Sequence, residues 1–217
     1  MIFDPETWNI TFLSLQVSAL ATVISLLIGL PFGTWLALGN FRARSFILSI
    51  INTGMALPPV VVGLVVAMML WRSGPLGNLN LIYTPAAIVI AQTIIAAPVV
   101  TGLTAAALQA LDPRLRQQLL GLGASELQMI WMLWREARLP LLAALMAGFG
   151  SVISEIGASM MVGGNIQDQT RVLTTAIVLE TSKGDFNIAL GLSALLLVIT
   201  YLINLALTLI QQRNVKR

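Results

Sequence analysis

Cysteine and histidine are both absent from the 217 residues. Their absence excludes disulfides, thiol redox chemistry, zinc or copper sites built on those side chains, and imidazole acid–base catalysis. Lysine occurs only at Lys183 and Lys216, and neither sits in a glycine-rich phosphate loop, so ATP hydrolysis by the P-loop route is excluded. Charge is scarce too. Asp, Glu, Lys and Arg make up 10% of the residues, against about a quarter in soluble domains. So few charges cannot cover a water-facing surface. An apolar share of 57% and a mean hydropathy of +0.89 make lipid the expected solvent. A net charge of +3 does not point to nucleic acid.

What is present comes as charge-free stretches over 7–41, 45–71, 73–111, 139–154 and 186–212. A bilayer-crossing helix needs about 20 mostly apolar residues. The chain therefore reads as a single all-α membrane domain, 1–217, with about five spans. These are Ile10–Leu38, Phe46–Trp71, Thr84–Leu108, Pro140–Val162 and Asn187–Ile210. Ser73 to Asn78 reads as a turn-rich loop. The apolar run Arg171–Thr181 is too short to cross and predicts a re-entrant or interfacial helix within an outer segment, 163–186. Five spans put nine basic residues on one side (Arg42, Arg44, Arg114, Arg116, Arg135, Arg138, Arg213, Lys216, Arg217) and three on the other (Arg72, Arg171, Lys183). The richer side should be cytoplasmic, so the N-terminus faces out and the C-terminus in. Asp4 and Glu6 make the N-terminus acidic, unlike a secretory signal, so helix one is expected to be retained.

The one sizeable water-exposed segment is Asp112–Leu139. Asp112-Pro113 places a capping carboxylate before a proline at the first helical position. Gly121 and Gly123 end that helix. Ser125 with Gln128 has the spacing of a capping box for a second helix, which carries Leu127, Ile130, Trp131 and Trp134. The pattern predicts helix, glycine turn, helix: either a docking knob for a cytoplasmic partner or an amphipathic loop on the lipid surface.

Several strings resemble the membrane subunits of ATP-binding-cassette importers for molybdate, tungstate and sulfate. They are Leu57-Pro58-Pro59-Val60-Val61-Val62-Gly63-Leu64, Gly74-Pro75-Leu76-Gly77, Thr84-Pro85, Ala91-Gln92-Thr93, Ala97-Pro98 and Ala110-Leu111-Asp112-Pro113. Glu155-Ile156-Gly157-Ala158, Val162-Gly163-Gly164-Asn165-Ile166 and the run from Thr170 to Thr181 extend the likeness, the last resembling tungstate-specific members most. The family's docking signature, Glu-Ala-Ala, three residues, Gly and then Leu-Pro, is matched at Leu122-Gly123-Ala124-Ser125 and Leu139-Pro140. Gln117-Gln118-Leu119 stands in its Glu-Ala-Ala position, and the segment is longer by about one helical turn.

The resemblance implies a type I importer fold and a permease in the plasma membrane of a prokaryote. It also implies a homodimer, two cytoplasmic ATPase subunits that hold the ATP and Mg, and an extracytoplasmic oxyanion-binding protein. No cofactor or metal is expected on this chain, and no enzymatic activity. Docking is expected at Gln117, Leu120, Gly121, Gly123, Ala124 and Ser125. Hinge or gate roles are expected at Pro58, Pro59, Gly63, Pro98, Gly102, Glu155, Gly157, Gly163 and Gly164. The strings Pro59-Val60-Val61-Val62-Gly63-Leu64 and Pro98-Val99-Val100-Thr101-Gly102-Leu103 echo each other. No basic residue lies in a span, so an anion would pass hydroxyls and amides such as Asn52, Thr53, Gln92, Thr93 and Thr101. Glu155 is the only ionisable group in a span, with Arg171 or Lys183 as expected partners. Tungstate is the expected cargo; molybdate or sulfate, or an ion-coupled carrier, are the alternatives.

Overall fold

The computed structural model describes residues 4–213. Lys216 and Arg217, counted above for the inner side, lie outside the described residues. Ten α-helices and one 3₁₀ turn follow one another, and no strand occurs among the described residues. Helix α1, Pro5–Leu38, has 34 residues, about 51 Å at 1.5 Å per residue. Pro5 sits in its first turn, where no N–H is needed.

The expected second span is not one helix. α2, Arg44–Met55, and α3, Pro59–Leu70, meet at 99°. Pro58 and Pro59 supply no N–H to extend the α2 ladder, and each proline drives the residue before it out of the α region. Pro58 is accordingly extended, with φ −62° and ψ 123°.

Helix α4, Pro85–Gln109, matches the third predicted span, and Thr84 caps it by accepting from the Ala87 N–H. α5, Pro113–Gly121, and α6, Glu126–Glu136, form the predicted helix–turn–helix. α7, Arg138–Ile153, leaves α6 at 75° and is followed by α8, Gly157–Gly163. The expected fourth span, Pro140–Val162, is thus two helices separated at Ser154, Glu155 and Ile156. α9, Leu173–Lys183, is an 11-residue helix, and α10, Phe186–Arg213, is the last. By length and composition α1, α4 and α10 can each cross a bilayer, and the two bent pairs bring the number to as many as five.

In lipid, apolar burial gives helices little reason to associate, so close contact between small residues matters more. α1 and α4 form the main pair, and Gly29 and Gly33 of α1 make the contact. A Cβ on Gly33 would stand 2.6 Å from the Thr101 carbonyl oxygen. A central apolar cluster joins α1, α3, α4 and α8 through Val17, Val62, Ile88 and Val162. A second cluster ties the ends of α1 and α4 to α5, α6 and α7, and a third joins α1, α9 and α10 at the opposite pole.

Candidate functional site

The helix–turn–helix projects as a knob capped at the start of each helix. The Asp112 carboxylate accepts from the Arg114 N–H at 2.9 Å. The Ser125 hydroxyl accepts from the Gln128 N–H, and the Gln128 side-chain oxygen accepts from the Ser125 N–H at 2.8 Å. Gly123 adopts φ +84° with open space around it, so it is required for its backbone angle, not for room. Leu119, Met129 and Leu133 are buried in the cluster beneath the knob. Its tip is apolar and exposed: Leu122 is 86% and Leu127 80% exposed, and Trp131 and Met132 lie beside them. The Arg135 guanidinium stacks over the Trp131 ring at 4.7 Å. A hollow of about 430 Å³ opens among Ala124, Leu127, Gln128, Trp131 and Met132. Of the six residues expected to dock a partner, Gln117, Leu120, Gly121, Gly123 and Ser125 are exposed and Ala124 is half-buried.

The hinge candidates separate into two places. Pro58 and Pro59 form the corner between α2 and α3, and Gly63 then lets α3 lie directly on α8. A Cβ on Gly63 would stand 2.5 Å from the Ala158 Cα, and one on Gly157 would collide with the Val60 side chain. Pro98 and Gly102 lie inside α4 and receive α2 instead. A Cβ on Gly54 would stand 3.0 Å from the Pro98 ring, and one on Gly102 2.7 Å from the Met55 sulfur. The two echoing strings therefore occupy different settings, one opening a helix and one inside a helix.

The expected path residues also divide. Asn52 and Thr53 are exposed on α2, and Thr93 is half-buried. Gln92 and Thr101 are each 2% exposed. Thr101 donates to the Ala97 carbonyl, and the Gln92 amide donates to the Val152 carbonyl at 3.2 Å. As packed, Gln92 ties α4 to α7, Thr101 bonds within its own helix, and neither lines a surface. The Gln92 side-chain oxygen and the Thr93 hydroxyl are buried without a hydrogen-bond partner.

Glu155 corrects another expectation. Its carboxylate does not meet Arg171 or Lys183. It accepts from the Ala158 N–H at 2.6 Å, the Ser159 N–H at 3.0 Å and the Ser159 hydroxyl at 3.0 Å. These are α8's otherwise orphaned amides, so a buried carboxylate caps the helix that restarts after the break. Arg171 pairs with Glu6 at 3.1 Å, and Lys183 with Glu180 at 2.7 Å. The break is tied from outside as well. Thr174 of α9 donates to the Glu155 carbonyl at 2.9 Å, and the Leu173 N–H donates to Ser14 of α1 at 2.7 Å. Gly163 and Gly164 end α8. Gly164 has φ +70° against the Tyr83 ring, and the Thr170 hydroxyl donates to the Gly163 carbonyl.

Sequence reasoning passed over Gly29, Gly33 and Gly148, the contact glycines of α1 and α7. The Gly29-x-x-x-Gly33 spacing was the available signal.

With this geometry in view, a family model described as binding-protein-dependent transport system inner membrane component matches residues 29–217. A tungstate uptake system permease protein TupB of Peptoclostridium acidaminophilum is 39% identical over 210 residues, covering 97% of this chain and 92% of the relative. A probable anion ABC transporter permease protein of Haloferax volcanii is 40% identical over 201 residues, covering 90% and 87%. The molybdenum transport system permease protein ModB of Escherichia coli K12 is 27% identical, with 85% of each chain covered. Among solved structures, inward-facing MetNI methionine ABC transporter superposes with a TM-score of 0.79 at 19% identity, covering 97% of this chain and 98% of that one. At that identity the likeness is one of fold.

Proposed function

This chain belongs to the family of binding-protein-dependent transport system inner membrane components, and on that premise we propose that it is the permease subunit of an ATP-driven importer for tungstate. The observation that carries the reading is similarity to a tungstate uptake permease along nearly the whole chain. Molybdate is the second cargo, favoured by the more distant molybdenum permeases. The protein is a multi-pass component of the inner membrane.

In this reading two copies form the pathway between them, and a cytoplasmic ATPase docks on each apolar knob. An exposed cluster of Leu122, Leu127 and Trp131 standing in water favours a protein partner over bare solvent. The knob's end of the bundle is then cytoplasmic and the Glu6–Arg171 end faces the binding protein. Apart from Arg44 at the first position of α2, whose guanidinium donates to the Leu36 carbonyl at 2.8 Å, no basic side chain lies along α2 or α4, so the anion is passed through, not held, and selectivity rests in the binding protein. ATP drives exchange between two packings of the same helices.

The test is reconstitution with its ATPase and a tungstate-binding protein in proteoliposomes. Tungstate-loaded binding protein should stimulate ATP hydrolysis and tungstate uptake, with molybdate weaker. Uptake by this chain without the ATPase would reject the reading in favour of an ion-coupled carrier.

A further inference from the structure

The knob is joined by peptide bonds only to α4 and α7, yet side chains also fasten it to α1. The Trp134 indole N–H of α6 donates to the Thr34 hydroxyl of α1 at 2.9 Å. Thr34 is 4% exposed and donates in turn to the Leu30 carbonyl at 2.7 Å. One hydroxyl thus accepts from the knob and donates into the α1 backbone, within what a hydroxyl can do. A second tie lies at the helix end. The Arg116 guanidinium of α5 donates to the Leu38 carbonyl at 3.1 Å, one of the carbonyls that an α-helix leaves without an internal donor. Ala37 and Leu38 pack against the same buried cluster as Leu119, Met129 and Leu133.

Next to Thr34, Gly33 lies against Thr101 and Thr104 of α4. A displacement of α6 is therefore delivered to α1 at a point where α1 is already pressed on α4. Residues 100 apart in sequence meet here, and nothing in the docking surface itself requires it.

We infer that Trp134 and Thr34 are positioning residues that make the inner end of α1 move with α6, while Arg116 holds α5 to the same end. The consequence for transport rests on the importer reading above; the mechanical link does not. Loss of the link leaves the ATPase docked but its motion poorly transmitted.

The experiment uses the full chain, whose lack of native cysteine permits site-specific labelling. Spin labels are placed at Leu27→Cys on α1 and Leu127→Cys on α6, which are 71% and 80% exposed. Their distance distribution is measured in nanodiscs by pulsed electron resonance. Trp134→Phe removes the donor but keeps an aromatic ring, and Thr34→Val removes the acceptor at nearly constant volume. Each should broaden the distribution, lowering the docked population relative to undocked about fivefold, as expected for one hydrogen bond. The double variant should broaden it no further, and Thr34→Ser should restore the parent. In the reconstituted transporter, the same variants should lower tungstate taken up per ATP while co-purification with the ATPase persists. Parent-like distributions in both single variants would overturn the inference. If the parent complex transports no oxyanion, the importer reading fails, and the label distances still decide the link.

Discussion

An alanine at Gly63 would place its Cβ 2.5 Å from the Ala158 Cα and 3.1 Å from the Cβ atoms of Ala158 and Met161. Carbon atoms pack comfortably at about 3.5–4 Å, so α3 and α8 must part by about 1 Å. The nearest atom belongs to the backbone, and no side-chain rotation relieves it. Overpacking of this kind costs about 1–3 kcal/mol. Against it stands the gain of alanine over glycine inside a helix, about 0.5–1 kcal/mol. The net expectation is a loss of up to about 2.5 kcal/mol, and of about 1–3 kcal/mol relative to an unhindered Gly→Ala change. Reversible unfolding in mixed micelles, followed by tryptophan fluorescence, reads this directly. Gly121→Ala is the control: it has the same chemistry at a helical site with nothing within 4 Å, and it should be neutral or slightly stabilising. Gly157→Ala should fall between, because it meets the Val60 side chain, which can turn. A Gly63→Ala protein as stable as Gly121→Ala would refute the close crossing of α3 and α8.

Gly123→Asp should abolish co-purification with the ATPase while membrane insertion persists, because it strains a φ of +84° and puts charge in the apolar tip; normal pull-down would reject the docking assignment. Glu155→Gln should destabilise the protein by about 1–3 kcal/mol in the same unfolding assay, because an amide NH₂ replaces one acceptor facing the α8 N–H groups. An unchanged midpoint there would argue against the capping role. Glu6→Gln should cost less than about 1 kcal/mol, since the Glu6 side chain is 38% exposed in its pair with Arg171. A large loss there, insensitive to salt, would show that the Glu6–Arg171 tie carries more than a surface pair can.

Local chemistry made part of this legible. Caps and glycines act within a few residues, so Asp112-Pro113, Gly123 and the Ser125–Gln128 pair make the knob legible in the sequence alone. Long charge-free runs announced α1, α4 and α10. The breaks were less legible. Pro58-Pro59 was visible as a hinge string, but hydropathy alone runs straight through it and cannot tell a bend from a 99° corner. The interruption at Ser154–Ile156 depends on amides of α8 and on Thr174, 19 residues beyond Glu155. Matching charges suggested Arg171 or Lys183 for Glu155, whereas orphaned N–H groups one turn away were nearer partners. The contacts of Trp134 with Thr34 and of Gln92 with Val152 join distant segments and leave no periodic trace.

Val100 is fully buried, and glycines face it from two sides: a Cβ on Gly29 of α1 would stand 2.9 Å from one of its methyls, and a Cβ on Gly148 of α7 2.8 Å from the other. With no side chains to yield on either flank, α4 cannot roll about its axis without carrying both neighbours along. The three helices are geared as one block. A push delivered to one end of α1 is therefore shared by α4 and α7.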